Sequence, residues 1–221
     1  MIRRKMKKLF PSILLLLCLS AAAALGQTDA KTAVPETEKP VPVSYGIVVD
    51  NSGSYRMILD RVIELVKDIV EENKEGDETF LVSFVSTDKI KLQQDFTERK
   101  GDIHDAADQM YTEGGLTAIV DALYFSAKHL VKEANSEPDR RRILILVTDG
   151  EERQSTAKYE ELAKFLKDEK ISVFAVGLAD GKVFTKILDK ITKETGGKVY
   201  IPKTGEIPAA VKSLSSAIRK K

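Results

Sequence analysis

Apolar residues along this chain follow two rhythms that take turns. Ser44–Asp50, Thr79–Ser86, Arg142–Thr148 and Ser172–Leu178 are short, nearly continuous apolar runs. Such runs predict strands that are covered on both faces. Between them, apolar positions recur every three or four residues. In Tyr55–Asn73 they are Ile58, Val62, Leu65, Val66, Ile69 and Val70, which form one stripe of a helix. In Ala118–Asn135 the inward set is Ala122, Leu123, Ala127, Leu130 and Val131. Lys100–Met110, Ala157–Lys167, Lys182–Glu194 and Ala209–Lys220 predict four more helices, and Lys198–Ile201 a short last strand. Ile90–Phe96 alternates apolar with polar, as an edge strand hairpinned to Thr79–Ser86 would.

Strands alternating with amphipathic helices predict an α/β fold. The sheet is doubly wound and mostly parallel, with one antiparallel edge strand and helices on both faces. Ligands of such sheets sit beyond the carboxyl ends of the strands, where the strand order reverses. The pattern leaves that order open.

The first residues have a different character. Arg3, Arg4, Lys5, Lys7 and Lys8 are followed by an apolar run, Ile13–Leu19, and by small residues up to Gly26. Basic, apolar and small segments in that order predict a secretory signal peptide over residues 1–26. The alternative is an N-terminal membrane anchor, for which Leu9–Leu25 is short and is interrupted by Pro11 and Ser12. Cys18, the only cysteine, follows Leu17 rather than the small residue that lipidation requires, so it reads as part of the apolar segment. Residues 27–43, with Pro35, Pro40 and Pro42, read as a flexible lead, and residues 44–221 as one domain.

Export changes the charge balance. The whole chain carries 35 Lys and Arg against 34 Asp and Glu. Losing residues 1–26 removes five basic residues and no acids, which leaves a net charge of −4. That balance argues against nucleic acid as a partner. A cysteine-free exported domain must rely on its packed core for stability. These features point to a bacterial protein in the periplasm or secreted from the cell, with no stable membrane span once the signal is cleaved.

Candidate chemistry collects where strands end. Asp50-Asn51-Ser52-Gly53-Ser54 follows the first apolar strand, so one tight turn carries three oxygen ligands. Gly114-Gly115-Leu116-Thr117 puts a hydroxyl at a helix start, where it would also suit a capping role. Leu144–Val147 runs into Thr148-Asp149-Gly150. Oxygen donors of this kind suit hard divalent cations.

An Asp-x-Ser-x-Ser turn, a threonine after a glycine pair and a strand ending Thr-Asp-Gly together resemble the von Willebrand factor A family. The resemblance covers roughly Pro42–Lys221. It implies a metal-ion-dependent adhesion site made by Asp50, Ser52, Ser54, Thr117 and Asp149, with all five residues present. It also implies a Rossmann-like fold and a protein partner whose Asp or Glu carboxylate completes the metal's coordination shell. Mg²⁺ suits an incomplete protein cage that keeps waters, Mn²⁺ can substitute, and Ca²⁺ wants more oxygens.

Other chemistries find less support. A nucleophilic serine needs a base, and the only histidines, His104 and His129, are tied to Ser52 or Ser54 by no motif; both read as surface residues. A haloacid-dehalogenase-type phosphatase would carry aspartate where Ser52 stands. Thr195-Gly196-Gly197-Lys198 lacks phosphate-loop spacing and reads as a helix-ending turn. Asp77, Asp88 and Asp95 lack the spacing of a calcium loop. Glu151, Glu152 and Arg153 read either as a solvated loop or as a charged rim that selects partners. The expectation is therefore a metal-dependent binding module and not an enzyme. The alternatives are a scaffold protein with a structural metal and, further off, a metal-dependent hydrolase with Glu151 or Glu152 as base.

Overall fold

The computed structural model describes residues 41–220. Six strands form one sheet: β1 (Val43–Asp50), β2 (Glu78–Phe84), β3 (Ile90–Thr97), β4 (Arg141–Thr148), β5 (Ile171–Gly177) and β6 (Val199–Tyr200). Their order across the sheet is β3-β2-β1-β4-β5-β6. Only β3 runs antiparallel to its neighbour; the other pairs are parallel. The α/β prediction with one antiparallel edge strand therefore holds.

Six helices cover the sheet: α1 (Leu59–Glu71), α2 (Lys100–Asp108), α3 (Ile119–Glu133), α4 (Tyr159–Asp168), α5 (Thr185–Thr195) and α6 (Ile207–Ile218). Each strand feeds alternate side chains to opposite faces, and two cores result. Tyr45, Ile47 and Val49 of β1 join Leu65, Val66 and Ile69 of α1 and Leu214 of α6. Val48 joins Leu123 and Leu130 of α3, Leu162 of α4 and Leu188 of α5 on the other face. Alternation puts Gly46 on this second face, where the Phe80 ring fills the space a side chain would need. A Cβ there would stand 2.1 Å from Phe80 Cζ.

Two boundaries and one residue's setting depart from the pattern, each with a physical cause. β1 starts at Val43, the last residue of the predicted lead, because its N–H donates to the buried Asp77 Oδ1 at 3.0 Å. The predicted helix at Tyr55 begins at Leu59, since Gly53–Tyr55 is spent on a short 3₁₀ turn. His129 is not a surface residue. Its ring lies 4.9 Å from the Phe80 ring and stacks 5.7 Å from the Phe96 ring, and Nε2 is 2.9 Å from Asp95 Oδ1. His104 is only partly exposed and faces Glu71 at 3.3 Å. The predicted signal segment and most of the lead lie outside the described residues, and so does Cys18.

Candidate metal centre

β1 and β4 are adjacent, with Val49 opposite Val147. The chain reaches β2 on one side of β1 and β4 on the other, so the order reverses here. Asp50 ends β1 and is fully buried, and Asp149 follows β4 at 6% exposure. The condition left open by the sequence, that the strands ending in these aspartates be neighbours, is met.

Each carboxylate is held by its own turn. Asp50 Oδ1 accepts the Ser52 N–H at 3.0 Å, and Oδ2 accepts the Thr148 hydroxyl at 2.8 Å. That hydroxyl also accepts the Gly150 N–H at 3.1 Å. Asp149 Oδ1 accepts the Glu151 N–H at 3.0 Å. Burial pushes the Asp50 carboxyl up to about 6, against these hydrogen bonds, and the charge of Asp149 adds to the push. Among the described residues, no Lys, Arg or His forms an ion pair with either aspartate.

The turn after β1 carries the serines. Ser52 is buried and Ser54 exposed, and their hydroxyls lie 3.1 Å apart. Tyr55 fixes this turn: its N–H donates to the Ser52 carbonyl at 3.0 Å, its ring is fully buried, and its hydroxyl donates to the Leu178 carbonyl at 2.9 Å. Sequence reasoning placed Tyr55 in a helix and missed this anchor. The tyrosine beside the Asp/Ser turn was the available signal, but nothing local pointed to a carbonyl 123 residues away.

Thr117 is 5% exposed and precedes α3. Its carbonyl accepts the N–H groups of Arg153, at 2.8 Å, and Gln154, at 3.1 Å, from the segment after β4. The next residue, Ala118, donates to the Val85 carbonyl just past β2 at 2.8 Å. On the same loop, Glu113 N–H donates to the Asn51 carbonyl at 2.9 Å, and Asn51 Nδ2 donates to the Tyr111 carbonyl at 2.9 Å. The three oxygen-bearing loops are thus tied to one another by backbone hydrogen bonds.

Thr117 is not the cap suggested by its place in the sequence. The N-cap position of α3 is Ala118, which makes no side-chain cap. The Val120 N–H is met instead by Glu152 Oε2 and Ser155 Oγ, each at 3.0 Å. Glu152 therefore spans from the loop after β4 to the start of α3, which is neither of the roles read from sequence. Asp121, in the first turn of α3, accepts the N–H groups of Thr156, at 2.8 Å, and Ala157, at 2.7 Å, together with the Thr87 hydroxyl. Burial opposes its charge, but these hydrogen bonds outweigh burial and hold its carboxyl below the usual aspartate range. Its sequence signal, an acid in the first turn of a helix, is too common to single it out.

This donor set suits a hard cation. Two buried carboxylates without counter-charge are costly to keep ionised, and three hydroxyls lie on the loops that enclose them. Asn51 Oδ1 is buried at the same place without a hydrogen-bond partner. No group of three or more His, Cys, Asp or Glu side chains able to hold a metal exists among the described residues. A metal here would depend on the hydroxyls. The two histidines lie outside these loops, and Glu151 is paired with Arg153 at 2.5 Å.

Residues 46–212 match the von Willebrand factor type A domain family. The human collagen alpha-6(VI) chain is 27% identical over 161 residues, a match that covers 71% of this chain. The match spans only 7% of that collagen's length. An aerotolerance-related membrane protein from Bacteroides fragilis superposes with a TM-score of 0.67 at 18% identity, covering 81% of this chain and 100% of that one. A von Willebrand factor type A protein from Catenulispora acidiphila gives 0.66 at 18% identity, covering 81% of this chain and 43% of that one. At these identities the structural likeness speaks for the fold. No helix among the described residues is long and apolar enough to cross a membrane.

Proposed function

The chain belongs to the von Willebrand factor type A domain family, and from that premise we propose that it is an exported binding module that grips a partner's Asp or Glu carboxylate through a divalent cation. Asp50, Ser52, Ser54, Thr117 and Asp149 would hold the ion, Mg²⁺ or Mn²⁺. The observation that carries this reading is the pair of unpaired, buried aspartates at the ends of adjacent central strands. Domains of this family serve protein interaction, which agrees with it.

Each part of the chain has its own task. Asp50 and Asp149 supply negative charge, and the hydroxyls add neutral donors. With so few formal charges among these residues, a cation held here would supply Lewis acidity toward a partner carboxylate. Ser54 faces solvent, so the cluster is reachable from outside. The Tyr55 anchor and the Thr117 carbonyl bonds hold the loops in place before a partner arrives, which lowers the ordering cost of binding.

Hydrolysis is disfavoured because the groups that could act as base are engaged. Glu152 spends its carboxylate on the Val120 and Ser155 N–H groups, and Glu151 on Arg153. The basic, apolar and small-residue order of residues 1–26 supports export.

A purely structural metal remains the rival reading, and Thr117→Ala separates the two. Because Glu152 and Ser155 do the capping, the variant should lose no more than about 1 kcal/mol of stability. It should nevertheless lose partner affinity by tenfold or more, by order of magnitude. Proteins retained from cell-envelope extract in Mg²⁺ and released by chelator supply the partner. Melting and affinity are then measured on the same sample. Normal melting with wild-type affinity would favour the structural metal.

A further inference from the structure

Beside Asp149 the surface opens into a groove of about 390 Å³ lined by Val120, Tyr159, Phe184, Ile187, Lys186 and Lys190. Gly150 and Glu151, the two residues after Asp149, border it as well. The groove is fixed to the candidate metal centre by backbone. The Phe184 N–H donates to the Asp149 carbonyl at 2.7 Å. Gly150 has φ +82°, and a Cβ there would stand 1.9 Å from the Phe184 carbonyl oxygen. Phe184 is nonetheless 39% exposed, a large apolar side chain left open to solvent. Tyr111, 58% exposed, and Leu116, 45% exposed, lie on the loop that carries Thr117. The apolar wall of the groove, Val120, Tyr159, Phe184 and Ile187, is a patch of the kind that marks an interaction surface.

The charge of the groove selects the occupant. Lys186 and Lys190, one helical turn apart on α5, are exposed and in no ion pair among the described residues. Lys190 Nζ rests 3.6 Å from the centre of the Tyr159 ring. The groove's own acids are committed, Glu151 to Arg153 and Glu152 to the start of α3. Glu152 keeps its charge at the α3 end, since N–H donors are neutral, and Glu194 accepts the Tyr159 hydroxyl at 2.9 Å. The free positive charge is therefore local to Lys186 and Lys190 on the α5 wall.

We infer that the partner is engaged as an extended acidic segment: one carboxylate at the metal, a neighbouring apolar side chain against Phe184 and Ile187, and a second acid at Lys186 and Lys190. This rests on the metal-bridged reading above and adds the chemistry of the segment. The apolar contact supplies affinity that a lone carboxylate lacks, and the lysines favour acidic sequences and speed encounter.

The probes are labelled synthetic peptides in a glycine background. One carries Asp alone, one carries Asp with Leu after one to three glycines, and one carries Asp, Leu and a following Glu. Binding is read by fluorescence polarisation in Mg²⁺ and in chelator. The Asp-Leu-Glu peptide should bind about tenfold or more tightly than Asp alone, in Mg²⁺ only. Phe184→Ser should erase the gain from Leu while leaving the weak Mg²⁺-dependent binding of Asp. Lys186→Glu should erase the gain from Glu, and replacing that Glu by Lys in the peptide should restore it.

Equal, Mg²⁺-dependent affinity of all three peptides would overturn the groove proposal and leave the metal reading standing. Tight binding in chelator that Phe184→Ser abolishes would keep the groove and sink the metal bridge. Binding to vesicles of anionic lipid, with none to any peptide, would overturn the peptide assignment.

Discussion

A single buried carboxylate sets the terms at the residue scale. Asp50 is fully covered and lies near the charge of Asp149, with no cationic side chain paired to it among the described residues, so without metal it is a liability to the fold. Functional sites often hold such groups at the expense of stability. Asp50→Asn removes the charge and keeps the shape, since the amide oxygen can still accept from Ser52 and the amide nitrogen can donate to Thr148. In chelator, this variant should melt at or above the wild-type temperature; in Mg²⁺, the wild type should gain stability and the variant should not. Calorimetric melting in both conditions checks it, and a variant that melts well below wild type in chelator would show that Asp50 is a structural group. The two aspartates were legible in the sequence because each ends an apolar run. Tyr55, Thr148 and Glu152 were not, because their roles rest on contacts with residues far along the chain. Thr148 meets Asp50 across 98 positions, and periodicity reports burial without naming the neighbour.

At the scale of elements, the start of α3 is the joint of the site. Thr117 precedes it, Glu152 and Ser155 meet its free Val120 N–H, and Asp121 ties its first turn to residues 156 and 157. The Asp121 carboxyl is held below its ordinary range, so the folded state binds its proton more weakly than the unfolded chain does. Its contribution is present above the unfolded value, near pH 4, and fades as pH falls through that region toward the folded value. Asp121→Asn should cost roughly 1.5–3 kcal/mol near neutral pH, the range for hydrogen bonds to a charged group. The gap to wild type should narrow between about pH 5 and about pH 3. Denaturant unfolding of both proteins across that range measures it, and a gap that stays constant would mean the charge of Asp121 is unimportant. The elements themselves were readable, since continuous apolar strands and three-to-four-residue helical stripes are distinct patterns. The start of α1 was not: residues 53–55 form a short turn that buries Tyr55, and the apolar stripe gave no hint of it. His129 was misjudged for the same reason, because its aromatic neighbours Phe80 and Phe96 come from β2 and β3.

For the whole molecule, six strands ordered β3-β2-β1-β4-β5-β6 bring the metal candidates together at one end of the sheet. The fold class followed from the alternation of elements, whereas the strand order had to come from the structure. It was that order which made β1 and β4 neighbours. Export belongs to this scale too. Mass spectrometry of the native protein should find a chain beginning near Gln27, and an intact Met1 in a membrane fraction would establish an anchor instead. If Asp50, Ser52, Ser54, Thr117 and Asp149 form one divalent-cation site, isothermal titration with Mn²⁺ will show it. The wild-type protein should bind a single Mn²⁺ that Mg²⁺ displaces, and Asp50→Ala should bind none. Equal Mn²⁺ affinity in the two proteins would mean that these residues do not hold the ion.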